Sequence, residues 1–381
     1  MSTSIILVFG VAILVCFTYV ATIVLFTIGW FRLRVIELSA FTRTAKVSVI
    51  IAARNEEKNI GNCLRAIATQ KFLSEFFEII VVDDHSTDNT VNEINRVIAS
   101  TQGIQIRLLQ LTTSEQGKKT AITRAILAAK NEWIVTTDAD CIMARNWLNS
   151  LMAHADDSSV HMIMAPVLFK KTKTVFGKLQ ELEFLSLIVS SAGAVSVGLP
   201  IMCNGANLAY RREAFYKTEG FASNKEFVSG DDIFLMMKIR KMYGSRAIRF
   251  VKSNEAIVIT DAIPAPGKFL NQRLRWVSKS RGYNDPWIIF TSVIIYAQSL
   301  LILIAFFIWA TGLIGYIFPL MLFTVKLLAD LPIMTAICRF AKRSRLMIWF
   351  IPLQIFYSLY IVAVGLSGHI FSFNWKGRKL R

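Results

Sequence analysis

The sequence predicts an α/β domain, a mostly parallel sheet with helices on both faces, set between an N-terminal membrane helix and a group of C-terminal ones. Three observations carry this. Residues 5–31 and 287–311 hold no charged side chain and are long enough to span a bilayer. Between them, residues 46–285 have globular composition, and short β-branched runs alternate there with helix-length stretches. Two of those runs end in paired aspartates, Asp83-Asp84 and Asp138-Ala139-Asp140.

The first apolar run lacks a preceding basic stretch. It closes on Trp30-Phe31-Arg32 rather than on a small-residue cleavage site, so residues 1–34 are expected to be a retained anchor. Val47-Ser48-Val49-Ile50-Ile51 is a buried-strand pattern. Asn55-Glu56-Glu57 then offers a cap and first-turn acids for a helix to about Gln70. Glu78 to Val82 is a second strand, followed by caps at Ser86-Thr87-Asp88 for a helix to about Ser100. Ile104 to Gln110 is a third strand, Gly117-Lys118-Lys119 opens a helix to about Lys130, and Trp133 to Thr137 is a fourth strand. Such alternation gives a parallel sheet with crossovers, in which ligands sit beyond the carboxyl ends of the strands. Both acidic pairs should therefore line one crevice. Residues 182–203 are apolar enough to pass as a span. Glu181 and Glu183 flank or interrupt them and Gly193, Gly198 and Pro200 break them, which predicts a buried or interfacial helix instead. Residues 286–381 are expected to form membrane helices at about 287–311, 313–337 and 346–371 and a basic tail. Lys326 and Asp330 lie four apart on one helix face, where they can pair. Such a pair at membrane depth faces protein or water.

The chain has 381 residues and a mean hydropathy of +0.47, too apolar for an ordinary soluble enzyme. Its net charge of +17 would suit nucleic acid, but the positions argue against it. Arg32, Arg34, Arg43 and Lys46 follow the first span; Arg273, Arg275, Lys279 and Arg281 precede the second. Arg339, Lys342, Arg343 and Arg345 lie between later ones, and Lys376, Arg378, Lys379 and Arg381 end the chain. These juxtamembrane clusters suit membrane lipids with anionic head groups. By the positive-inside rule they place the globular domain in the cytoplasm, in an integral protein of the cell's inner membrane. Three C-terminal crossings would leave the basic tail outside, so either the tail breaks the rule or one segment does not fully cross. Five cysteines without C-x-x-C spacing and four scattered histidines point to neither a disulfide framework nor a zinc site.

No G-x-G-x-x-G or P-loop appears. Carboxylates at Asp138 and Asp140 are hard ligands suited to Mg²⁺ or Mn²⁺, ions commonly held by one or two carboxylates plus substrate phosphates. Asp140 is expected to be the direct ligand; a solvated turn is the plain alternative. An aspartyl phosphatase also uses D-x-D, but it wants Thr or Val two residues after the second Asp, where Ile142 stands. Asp84 could accept hydrogen bonds from a nucleobase, or cap a helix. Asp231-Asp232 could take a proton from a hydroxyl, or cap the helix that follows. Gln272-Arg273-Leu274-Arg275-Trp276 offers phosphate-pairing arginine and a stacking ring, or an interfacial anchor.

Together these motifs resemble the membrane-bound family 2 glycosyltransferases of GT-A fold, relatives of cellulose, chitin and hyaluronan synthases and of ceramide glucosyltransferase. "VSVIIAARNEEKNI" is similar to the family's first strand and nucleotide-binding turn, which implies donor contacts at Ala53, Arg54, Asn55 and Glu56. "IIVVDDHSTDNT" implies Asp84 at the base, and "GKKTAITRAI" implies Lys118 or Lys119 near the nucleotide. "TTDADC" resembles the metal motif, with Asp138 and Asp140. "CNGANLAYRREAF" implies acceptor-side Asn204, Gly205 and Asn207; "QRLRW" matches Q-x-x-R-W, with Gln272, Arg275 and Trp276. The family usually writes Glu-Asp where this chain has Asp231-Asp232; Asp232 inherits the base role and Asp231 is the shorter neighbour. The resemblance implies an inverting transfer from a nucleotide sugar, with a UDP-sugar favoured, to a hydroxyl of a lipid or glycan. Few spanning helices favour single transfer over processive polymer synthesis. An inactive membrane scaffold is the non-enzyme alternative, and a transporter built on Lys326 and Asp330 another.

Overall fold

The computed structural model describes residues 3–36, 45–222, 230–367, 373–375 and 378–380, with backbone alone at 3–8, 373–375 and 378–380. Arg43, Lys376 and Arg381 of the expected basic clusters lie outside the described residues. In chain order the elements are α1 (Thr3–Arg32), β1 (Val47–Ala53), α2 (Ile60–Ala68), β2 (Phe77–Asp83), α3 (Thr90–Ser100), β3 (Gln105–Gln110), α4 (Lys118–Ala128) and β4 (Trp133–Asp138). Then come β5 (Ile142–Met143), α5 (Trp147–Leu151), β6 (Met162–Met164), β7 (Val167–Phe169), α6 (Val175–Ser196), β8 (Leu208–Arg211), α7 (Arg212–Lys217) and α8 (Asp231–Tyr243). The remainder is β9 (Ile248–Phe250), β10 (Val258–Thr260), α9 (Pro266–Ser278), α10 (Pro286–Ala310), α11 (Ile317–Phe340), α12 (Phe350–Ser367) and a terminal hairpin.

The chain forms two compact units. One comprises Leu33–Lys170 and Met202–Asp261. Its main sheet has the order β3-β2-β1-β4-β8-β6-β9. β1 to β4 run parallel, β8 is antiparallel to both its neighbours, and β9 is parallel to β6. Every residue of β2 and all but one of β1 are buried, which is why Val49 to Ala53 and Ile79 to Val82 read as continuous apolar runs rather than alternating ones. Register sets the chemistry. Ala53 pairs with Asp83 and Ala52 with Asp138, so both acidic pairs emerge at the same carboxyl edge. A second sheet, β5-β10-β7, brings the end of β10 to the segment that follows Asp140.

The other unit comprises Met1–Arg32, Lys171–Ile201 and Ala262–Arg381. Four of its helices, Phe9–Arg32, Pro286–Ala310, Ile317–Phe340 and Ser344–Ser367, are long and apolar enough to cross a membrane. α6 runs straight through Gly193, expected to break it, and ends before Gly198, which has φ +79°. Gly193 serves close packing: a Cβ there would strike the Phe26 carbonyl of α1, and one at Gly29 would strike the Gly193 carbonyl.

Within the same unit Lys326 does pair with Asp330, at 2.7 Å. Tyr19 of α1 donates to the other Asp330 oxygen at 2.7 Å, and Gln354 of α12 bridges both partners. The pair faces protein: Lys326 is 1% exposed. Because breaking a buried pair strands a charge, Lys326→Met should destabilise the helices by about 3–5 kcal/mol. The double variant Lys326→Met/Asp330→Met should recover much of that loss. Thermal unfolding in detergent checks this; a double variant no more stable than the single one would show that the pairing is not what matters.

Candidate active site

Lys118 is the first residue of α4, and its Nζ donates to Oδ1 of Asp138, the last residue of β4, at 2.6 Å. Burial works against the lysine's charge, but Asp138, Asp231 and Asp232 outweigh it and push its pKa up. This ammonium is thus the electrostatic centre of two motifs far apart in sequence. Lys119, the other lysine of the pair, instead lies over the Phe234 ring at 5.5 Å.

Asp140 turns to β10: its Oδ2 accepts from Thr260 Oγ1 at 2.9 Å. Burial raises the Asp140 pKa, and the charge of Asp138 adds to that rise. The Thr260 hydrogen bond opposes it, while Glu56, from the turn after β1, contributes in the same direction as Asp138. Two carboxylates held together against mutual repulsion form a charge excess that a cation relieves. Among the described residues no group of three or more His, Cys, Asp or Glu side chains could hold a metal. The pair nonetheless fits Mg²⁺ or Mn²⁺ of the kind that takes its other ligands from substrate phosphates and water.

Asp231 and Asp232 open α8 behind Gly230, whose φ of +92° suits only glycine without strain. Both acids sit in the first turn, where the helix dipole favours negative charge. Asp232 Oδ2 accepts from the Gly205 N–H at 3.0 Å, and the Gly205 carbonyl accepts from Thr136 Oγ1 of β4 at 2.8 Å. Gly205 and Thr136 therefore tie Asp232 to the strand that carries Asp138. A small cavity beside them is lined by Thr136, Gly205, Tyr210, Asp231 and Asp232.

The turn after β1 differs from expectation. α2 begins at Ile60, not near Asn55, because residues 54–59 are tied to the loop after β2. Asn55 has φ +54°; its N–H donates to Ser86 Oγ and its Oδ1 accepts from Thr87 N–H. The Glu56 N–H donates to Thr90 Oγ1 and the Glu57 N–H to Asp88. Arg54 Nη1 donates to the Asp84 carbonyl at 2.9 Å and stands 3.7 Å from the Asp84 carboxylate. Ala53, at the end of β1, pairs with Asp83. These residues share one loop pair at the edge that carries Asp138.

Asn204 closes a local turn by accepting from the Ala206 N–H. Asn207 is 1% exposed. Its amide donates to the carbonyls of Pro166 and Ala256 and accepts from Trp147 Nε1, so it faces the core. Asn207→Ala leaves the Ala256 carbonyl and Trp147 Nε1 without that partner, while the Pro166 carbonyl keeps the Val258 N–H, and a loss of about 3 kcal/mol in stability is expected. An acceptor-binding role would instead raise KM at unchanged melting temperature. Gln272, Arg275 and Trp276 lie on α9, in the helical unit. Thr260 was not legible as a site residue: it belongs to no motif, and only the pairing of β10 with β5 brings it to Asp140.

Residues 48–218 match the family model described as glycosyl transferase family 2. Over 133 residues the chain is 30% identical to the poly(ribitol-phosphate) β-N-acetylglucosaminyltransferase TarS of Staphylococcus aureus, covering 35% of this chain and 22% of that protein. Over 123 residues it is 31% identical to the glycosyltransferase AglE of Haloferax volcanii, covering 32% and 40%. The chain thus spans less than half the length of either relative. In structure it is similar to the mannosyltransferase PcManGT of Pyrobaculum calidifontis, solved with GDP-Man and Mn²⁺. That likeness has a TM-score of 0.61 at 19% identity and covers 92% of this chain and 98% of that one. These findings show similarity to family 2 glycosyl transferases over residues 48–218 and a mixed α/β, GT-A-like fold.

Proposed function

We propose that the chain is an inverting, metal-dependent glycosyltransferase. It would move a sugar from a nucleotide-diphosphate donor to a hydroxyl of a lipid or glycan at the cytoplasmic face of the inner membrane. The observation that carries this is the gathering of Asp138, Asp231 and Asp232 around the Lys118 ammonium, with Asp140 alongside, at the carboxyl edge of parallel strands. In this reading residues 1–34 anchor a domain of residues 46–285, and residues 286–381 supply the remaining membrane helices.

Ala53, Arg54, Asn55, Glu56 and Asp84 would bind the nucleotide, and Lys118 the diphosphate. Asp140, with Asp138, would hold Mg²⁺ or Mn²⁺, which when bound neutralises charge on the leaving diphosphate. Asp232 would accept the proton of the acceptor hydroxyl. The acceptor oxygen then bonds to the anomeric carbon as the bond to the β-phosphate oxygen breaks, and the electron pair leaves with the diphosphate. Attack from the face opposite the leaving group inverts that carbon. Gln272, Arg275 and Trp276 are assigned to the acceptor and diphosphate. The relative solved with GDP-Man and Mn²⁺ supports the donor class and the metal; the family resemblance favours a UDP-sugar.

The test is a screen of UDP-, GDP- and TDP-sugars with the purified full chain in lipid, with Mn²⁺ or Mg²⁺. Turnover of one donor, abolished by chelation, is the expected result. Failure to bind any nucleotide in the presence of metal would sink the reading and favour a scaffold.

A further inference from the structure

The helix that carries the Q-x-x-R-W signature holds an arginine at a position the signature leaves open. Arg273 follows Gln272, and its side chain is 3% exposed. A buried guanidinium needs a partner. Glu183 of α6, also buried, accepts from Arg273 Nη2 at 2.5 Å. Nη1 donates to Gln272 Oε1 at 3.0 Å. The guanidinium carbon stands 4.1 Å from the ring centre of Trp276 and 4.5 Å from that of Phe269. Residues 269, 273 and 276 are spaced i, i+4 and i+7, so all three share one face of α9. The planar cation fills the gap between the two rings.

Two further contacts close the arrangement. Tyr360 of α12 reaches the other Glu183 oxygen at 3.5 Å, and Phe184, next to Glu183, lies 6.5 Å from the Trp276 ring. Arg273 Nε–H has no hydrogen-bond acceptor among the described residues. An orphaned buried donor is unfavourable, so the stack and the carboxylate, rather than full hydrogen bonding, fix where this arginine sits. Burial pushes the Glu183 pKa up while Arg273 pulls it down.

We propose that Arg273, clamped by Glu183, is a positioning residue that sets the orientation of Gln272 and Trp276 for transfer to the acceptor. This rests on the acceptor-side reading of the signature given above. Arg273 acts through its neighbours: its charge is occupied by Glu183 and its faces by two rings. Lysine would keep the charge but lose the flat surface on which Trp276 rests.

The experiment uses the full chain in its own membranes with the donor found in the screen. It scores sugar incorporated into membrane acceptor separately from nucleotide binding. Glu183→Gln and Arg273→Met should each lower incorporation about tenfold, with nucleotide Kd within about twofold of the parent, and Arg273→Lys should be intermediate. In a Gln272→Ala/Trp276→Ala background neither should add more than about twofold, because the clamp acts through those two side chains. If Trp276→Ala keeps full incorporation, the acceptor reading of the signature fails, and the inference with it. If Trp276→Ala loses incorporation while Glu183→Gln and Arg273→Met keep it, or their losses multiply in the Gln272→Ala/Trp276→Ala background, the clamp is wrong and the signature reading stands. The second readout needs no turnover. The emission attributed to Trp276, taken as the difference from Trp276→Phe, should shift in Glu183→Gln, and an unchanged spectrum would overturn the clamp.

Discussion

Asp232→Asn is expected to lower sugar transfer about 10³-fold, within the range typical of removing a general base, while leaving nucleotide affinity within about twofold. The substitution is nearly isosteric, and the amide oxygen can still accept from the Gly205 N–H, which now holds the carboxylate at 3.0 Å. The other oxygen, which accepts from the neighbouring Ile233 N–H at 2.8 Å, becomes the amide nitrogen, so that local bond goes together with the capacity to take a proton. Because the variant keeps its tie through Gly205 to Thr136 and β4, its melting temperature should stay near that of the parent. Asp231→Asn is the informative comparison. Asp231 shares the first turn of α8 and contributes to the field at Lys118, yet it is the shorter acid where the resembling family usually has Glu. A smaller loss is expected there, through electrostatics rather than proton transfer. The assay is steady-state transfer beside nucleotide titration. Equal losses in both variants, or loss of nucleotide binding in Asp232→Asn, would remove Asp232 from the base role.

How far the sequence could be read depended on what each residue answers to. β1, β2 and β4 were legible because fully buried parallel strands require unbroken β-branched runs, and the carboxyl-edge position of Asp83 and Asp138 followed from counting. Helix starts were less legible. Asn, Ser and Asp cap helices, but the same side chains cross-link loops, and Asn55 with Ser86 and Thr87 does the latter. Gly193 failed as a breaker because glycine also permits two backbones to touch. Asn207 sits in a motif whose neighbours face the site, but its own amide points into the core, a direction that spacing does not encode. Glu183 and Thr260 were hidden for a third reason: each matters through a partner far away in sequence, Arg273 or Asp140. Local pattern finds residues that answer to their neighbours in the chain, and tertiary partners stay invisible to it.

Asp140→Asn should abolish metal-dependent transfer while making the metal-free protein more stable at neutral pH. The first half follows if this carboxylate is the direct ligand: charge neutralisation by a bound metal is worth several kcal/mol, so a loss of roughly 10³-fold or more is expected. The second half follows from the environment of the group. Burial, with the charge of Asp138 behind it, raises the Asp140 pKa above that of an ordinary carboxylate. The native state therefore holds that proton more tightly than the unfolded chain does. Below the ordinary carboxylate range both states are protonated and the native fold carries no penalty from this group. As pH rises through the raised pKa the native anion forms, and stability is lost. At pH 7 the unfolded chain has lost this proton, so the chelated parent bears a penalty that asparagine does not, and the asparagine oxygen can still accept from Thr260. Chelated Asp140→Asn should thus melt above the chelated parent at pH 7, with the gap closing as pH falls towards the ordinary carboxylate range. Mn²⁺ should raise the melting temperature of the parent and leave the variant where it was. Melting curves with chelator and with Mn²⁺ at several pH values separate the outcomes. Equal stabilisation of both proteins by Mn²⁺ would place the metal elsewhere. A chelated variant less stable than the parent would mean that the carboxylate earns its place through Thr260 rather than through a cation.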